Sequence, residues 1–288
     1  MNSGNWLGYA LFATAAWGVW GAFTGVPSEH GFPDTLTYVV WALTMILPAA
    51  WAMRKVGWRL KRDRRSIALG LAIGVLGAGG QLLLFHAVTL GPTYLIFPIV
   101  SLSPAVTIVL SFLLLGERTG RLGIAGIVLA IVSLPLFDYS PEEGAQVGLW
   151  FFFSLGIMAA WGLQAYYIKL ANATMDAESI FAYMTLTALL FIPAACYLTD
   201  FSKPVYLGLS GPYLSAAIQM LNAVGALLLV YAFRYGKAIV VSPLINAGAP
   251  LLTTAIALGL AGTLPGAYKL AAAVFALLGA VLLSLQPE

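Results

Sequence analysis

The chain has 288 residues, 61% of them apolar and only 9% charged, with a net charge of +3 and a mean hydropathy of +0.92. Soluble domains run at about 45–50% apolar and about 25% charged, so there are too few charges here to coat a solvated surface. This composition excludes a disordered chain and a soluble domain, the charge is too small to point to nucleic acid, and the single cysteine, Cys196, permits no internal disulfide.

A helix crossing the hydrocarbon layer needs about 20 mostly apolar residues. Ten such stretches are expected, near 6–25, 34–53, 66–89, 93–115, 121–137, 147–168, 178–199, 208–232, 238–260 and 266–286. Their continuous apolar runs lack the alternation of a β-barrel strand, which predicts an all-α polytopic membrane protein. Span 1 has no Lys or Arg ahead of it and is too long for a cleavable signal peptide. It holds Ala15-Ala16-Trp17-Gly18, with Trp17 deep in the span instead of at headgroup level, where Trp collects. Span 2 contains Pro48 and leads into Arg54, Lys55, Arg59, Lys61, Arg62, Arg64 and Arg65. Span 3 is rich in glycine (Gly70, Gly74, Gly77, Gly79, Gly80) and carries Gln81 and His86. Small residues at that spacing let helix backbones approach closely or leave room for a cavity. Span 4 carries Pro98, Ser101, Ser103 and Pro104 and ends on Leu115-Gly116-Glu117. Span 6 holds Ala159-Ala160-Trp161-Gly162 and Gln164, span 7 Pro193, span 8 Asn222 and Tyr231, and span 9 Pro243, Asn246 and Pro250.

Two of these patterns repeat. Ala-Ala-Trp-Gly recurs at an offset of 144, and Leu82-Leu83-Leu84 with Ala87, Gly91 and Pro98 recurs as Leu227-Leu228-Leu229 with Ala232, Gly236 and Pro243 at 145. That predicts a duplication, with a first repeat over 1–140 and a second over 141–288. Five spans is an odd number, so the second repeat enters the membrane inverted, the architecture of many secondary transporters. Twelve of the fourteen basic residues share one side if both termini are cytoplasmic, leaving Lys203 and Lys269 outside. The cluster 54–65 could alternatively bind anionic lipid, but it reads first as a topology signal.

Polar groups in hydrocarbon need a partner or water. Interhelical bonding is the ordinary role of any one of them, and substrate contact is the alternative for Gln81, His86, Ser101, Gln164, Asn222, Tyr231 and Asn246; for Trp17 and Trp161 core packing is the ordinary role, and an aromatic wall for substrate the alternative. The paired prolines of spans 4 and 9 (Pro98 and Pro104, Pro243 and Pro250) are expected to kink those helices and shape a path. No phosphate-binding loop implies ATP drive or an ATPase subunit, no ligand set implies a metal or cofactor, and no cluster implies catalysis. No Asp, Glu, Lys or Arg sits mid-span, so His86 is the one intramembrane proton-coupling candidate, and movement down the substrate's own gradient is expected.

Over its full length the chain resembles the EamA-type exporters of the drug/metabolite transporter superfamily. The match is carried by the Ala-Trp-Gly of spans 1 and 6, the Gly91-to-Pro98 stretch, Ser103-Pro104 and Leu115-Gly116-Glu117. It is most similar to the aromatic amino acid exporters. The resemblance implies a ten-helix basket, termini inside, in the inner (plasma) membrane. It also implies a central cavity bounded by spans 1, 3, 4, 6, 8 and 9. The expected activity is export of small metabolites, amino acids including aromatic ones, by alternating access; a non-coupled channel or facilitator is the other reading. One departure is that the family often ends span 9 on a second Gly-Glu, where this chain has Ala261-Gly262-Thr263.

Overall fold

The computed structural model describes residues 5–91, 96, 99–138, 148–261 and 266–285. Among them every regular element is helical. Besides the single turn Val26–Glu29, the helices are α1 (Trp6–Phe23), α2 (Asp34–Lys55), α3 (Arg64–Leu90), α4 (Ser103–Leu114), α5 (Arg121–Asp138), α6 (Leu149–Ala171), α7 (Ala177–Tyr197), α8 (Leu209–Tyr235), α9 (Ala238–Ala261) and α10 (Ala267–Ser284). Seven helical segments among the described residues are long and apolar enough to cross a membrane, in α2, α3 and α6–α10. The 18 residues of α1 and two shorter apolar segments, Ile99–Leu114 and Arg121–Leu136, occupy the other expected positions. Leu47, Leu113, Leu149 and Leu190 are each 65–66% exposed, an outward apolar surface that water would not tolerate but lipid does.

Local chemistry sets the ends of these helices. Asp63 starts α3 by accepting from Ser66 N (3.1 Å) and Ser66 Oγ (2.6 Å), and Asp176 starts α7 in the same way with Ser179 N (2.7 Å) and Ser179 Oγ (3.0 Å). The side-chain and backbone bonds from Ser66 hold the Asp63 carboxyl below its ordinary range, so this cap is present at neutral pH and is lost as pH falls through that lowered value. Asp176→Ala is expected to cost about 1 kcal/mol, the usual loss of an N-cap, read as a lower unfolding midpoint in detergent. At the end of α2, Gly57 turns left-handed (φ 61°), and the N–H groups of Gly57 and Trp58 bond Arg54 O (3.1 Å) and Met53 O (2.8 Å).

Three of the prolines stand just past interruptions in their helices. Within α2 the helix breaks at Met45, and within α7 at Phe191, with Pro48 and Pro193 just past each break. A proline cannot donate to the carbonyl four residues back, and its ring crowds that carbonyl, so the helix restarts around it. Residues 99–101 are helical as well, the helix is interrupted at Leu102, and Pro104 follows that break in the first turn of α4, where its missing N–H costs nothing. Pro243 and Pro250 are inside α9 as expected, and Pro98 lies outside the described residues.

The first five helices do not pack as a unit beside the last five; the two sets interleave. Helix α1 lies against α8 and α9, and α6 lies against α3 and α4. Helix α3 also packs on α7, α2 on α8, and α5 on α10. The last contact is backbone to backbone: a Cβ at Gly279 would lie 3.0 Å from Gly126 O. Loops bearing twelve of the fourteen basic residues meet at one end of the bundle. There Lys61 N donates to Ser179 Oγ (3.0 Å), Arg234 to Met175 O (3.2 Å) and Asn172 to Val230 O (3.1 Å). At the opposite end Tyr206 N bonds Gly31 O (3.1 Å), and the hydroxyls of Thr35 and Thr199 bond each other (2.7 Å).

Candidate functional site

The Trp-Gly pairs of α1 and α6 form two seams built to one plan. Trp17 Nε1 donates to Asn222 O of α8 (3.2 Å), and Trp161 Nε1 donates to Gly77 O of α3 (3.4 Å). Three residues beyond each acceptor stands a glycine, Gly225 or Gly80. A Cβ there would lie 2.5 Å from the indole nitrogen of Trp17 or Trp161 respectively. The missing side chain is what lets the ring reach the backbone. The glycine after each Trp serves the next helix along. Thr253 Oγ1 of α9 donates to Gly18 O (2.8 Å), and Thr107 Oγ1 of α4 donates to Gly162 O (3.1 Å). A side chain on Gly18 would strike Leu252, and one on Gly162 would strike Val106.

A third pair extends the pattern to the helix ends. Gly91, closing α3, packs on Trp150 at the start of α6; Gly236, closing α8, packs on Trp6 at the start of α1. All these partners are related by offsets of 144 to 146 residues. Of the seam residues, the sequence reading singled out both Trp-Gly pairs but passed over Thr107, Thr253 and Gly225. Their own near-constant spacing was the available sign.

The remaining expected residues divide between these seams and other contacts. The Gln164 amide occupies the space that a side chain at Gly77 would need, so Trp161 and Gln164 meet the same stretch of α3. Asn222 donates to Gln219 Oε1 (3.4 Å), which also accepts from Trp20 Nε1 (3.1 Å), while Gln219 Nε2 donates to Thr24 Oγ1 (3.3 Å). That buried glutamine, absent from the expected set, organises the polar contact between α1 and α8. Gln81 and Ser101 are half-buried, and His86 lies against the Phe153 ring (5.7 Å between centroids). Asn246 donates to Ser242 O of its own helix (2.9 Å), a bond that satisfies it locally.

Tyr231 lies about 13 Å along α8 from Asn222, at 1.5 Å per residue, and belongs to a different cluster. Its hydroxyl donates to Glu178 Oε1 (2.6 Å), and its ring stacks on Tyr9 (5.1 Å), which in turn stacks on Tyr235 (5.9 Å). Near this end, Glu117 Oε2 accepts from Ile239 N (3.0 Å) and Glu117 Oε1 lies 3.9 Å from Lys169 Nζ. Lys169 Nζ also donates to Phe233 O (3.0 Å) and Gly236 O (2.6 Å). At the other end an apolar groove of about 240 Å³ is lined by Phe23, Val26, Leu214, Ala217, Ile218 and Leu221, none of them an expected site residue. No group of His, Cys, Asp and Glu among the described residues could hold a metal ion.

Residues 4–137 and 148–285 match the EamA-like transporter family. A solved crystal structure superposes with a TM-score of 0.78 at 17% identity, covering 96% of this chain and 98% of that one, which is a likeness of fold. An uncharacterized protein of Methanocaldococcus jannaschii is 33% identical over 78 residues; the match spans 27% of this chain and 57% of that protein's length.

Proposed function

The chain belongs to the EamA-like transporter family, and from that premise we propose a secondary transporter that exports small metabolites, amino acids including aromatic ones, by alternating access. The observation that carries this reading is the pair of seams. Trp17 with Gly225 and Trp161 with Gly80 are the same contact made twice, each between a helix of the first five and a helix of the last five. Contacts repeated at one offset support an inverted duplication, with repeats over 1–140 and 141–288, and so do the two matched segments either side of 138–147. Two like halves interleaved in this way can exchange which end of the bundle is open by exchanging conformations. The ten helices are read as ten spans around a central cavity, in the inner membrane, with both termini and the basic end in the cytoplasm.

The seams assign roles within that reading. Trp17 and Trp161 carry the moving interfaces, because their indoles are already bonded across helices, and Asn222 serves the first of them through its carbonyl while its side chain bonds Gln219 of the same helix. Gln81, Ser101 and Gln164, half-buried on α3, the approach to α4 and α6 respectively, are the groups that meet substrate. His86 and Asn246 line the same space, whereas Tyr231 serves closure of the basic end. Pro243 and Pro250 bend α9 where the cavity narrows.

Saturable counterflow in proteoliposomes tests the proposal: trapped unlabelled amino acid should accelerate entry of labelled amino acid. A flux that neither saturates nor shows counterflow identifies a channel and overturns alternating access. Gln81→Leu and Gln164→Leu are expected to lower counterflow by about threefold to tenfold, the worth of one hydrogen bond, with folded protein in the membrane unchanged. If transport falls only in step with folded protein, these side chains are packing groups.

A further inference from the structure

Among the described residues the Trp-Gly seams occur twice, but the ionic contact at the basic end occurs once. Gly116 takes up a left-handed conformation (φ 66°) after α4, folding the chain back so that Glu117 N bonds Ser111 O (3.1 Å) and the carboxylate reaches the start of α9. There it accepts from Ile239 N (3.0 Å) and faces Lys169 of α6 (3.9 Å), whose ammonium holds the last carbonyls of α8. The Glu117 side chain is 10% exposed and that of Lys169 23%. Each charge also sits at the favourable pole of a helix, the carboxylate at an N-terminus and the ammonium at a C-terminus. Two side chains thus tie α4, α6, α8 and α9 together at one end.

In the sequence the equivalent positions of the repeat carry no charge. An offset of 145 carries Glu117 to Gly262, and 144 carries Lys169 back to Gly25. Neither glycine can bear a charge. The apolar part of the interface is therefore duplicated and the ionic part is not. Opening the basic end must separate a partly buried ion pair and strip partners from two helix termini, all of which need water or a replacement. The glycines at the equivalent positions impose no such requirement.

We infer that Glu117 and Lys169 are a one-sided latch that holds the basic end closed in the substrate-free protein, biasing it toward the conformation open at the opposite end. The inference rests on the alternating-access reading but is tested without substrate. In a Cys196→Ser background, single cysteines are placed at Ser242, buried one turn beyond Ile239, and at Thr24, half-buried near the opposite end. Their reaction with a hydrophilic maleimide is followed in nanodiscs. Glu117→Gln and Lys169→Gln are each expected to speed labelling at Ser242→Cys about tenfold, within the usual range for a shift between two conformations, and to slow labelling at Thr24→Cys. Unchanged rates at both positions overturn the latch. Faster labelling at Ser242→Cys with no fall at Thr24→Cys also overturns it, since that is local loosening without exchange between ends. Should Glu117→Gln fail to fold, Lys169→Gln, which keeps the bond to Ile239 N, gives the same two readings. A failed latch leaves any counterflow result standing, and absent counterflow leaves the labelling result standing.

Discussion

Gly225→Leu is expected to destabilise the protein by about 3 kcal/mol, at the upper end of what overpacking costs, because the new side chain and the Trp17 indole claim the same space. The damage should be recoverable from the other side of the seam. Trp17→Ala alone leaves a cavity and is expected to cost about 3 kcal/mol or more. Combining it with Gly225→Leu refills that space, so the double variant should lose well under the sum of the two single losses. Thermal unfolding in detergent measures all four corners of the cycle, and a coupling of about 1–3 kcal/mol is expected for residues in contact. The second seam should behave alike with Gly80→Leu and Trp161→Ala. Additivity within about 0.5 kcal/mol at either seam would mean that these rings are not seated on those glycines in the membrane.

An all-or-none result is expected for sidedness. Arg59→Cys and Thr119→Cys should react with an impermeant maleimide only from the cytoplasm, and His30→Cys only from outside. The structure gathers the loops bearing Arg59 and Thr119 at the end where Lys61, Lys169 and Arg234 make their contacts, and puts His30 beside the Gly31–Tyr206 contact at the other. Cytoplasmic loops hold the excess of Lys and Arg because translocating those charges is costly, and twelve of fourteen basic residues lie at the first end. Labelling of Arg59→Cys from outside would reverse the orientation and, with it, the direction of export proposed here.

Composition and periodicity were enough for a helical membrane protein, for the approximate limits of its apolar stretches and for the repeated Trp-Gly pairs. Each of these is local: twenty apolar residues demand a helix in lipid whatever surrounds them, because the backbone there can bond only to itself. What Trp17 and Trp161 bond could not be read that way: the acceptors of the indole protons, Asn222 O and Gly77 O, stand about two hundred and about eighty residues distant. That the interruption near Pro104 falls at Leu102, between helical residues 99–101 and α4, is likewise decided by the fold. Glu117 and Lys169 read as charges at the ends of separate spans. Only folding sets one 3.9 Å from the other and aims both at the termini of α8 and α9. Hydrophobicity specifies where a helix lies in the bilayer but not which neighbour it meets, since lipid and apolar side chains are nearly equivalent surroundings. The choice of neighbour is made by close backbone approach at glycines and by the few polar atoms that must find partners, and those exist only in three dimensions.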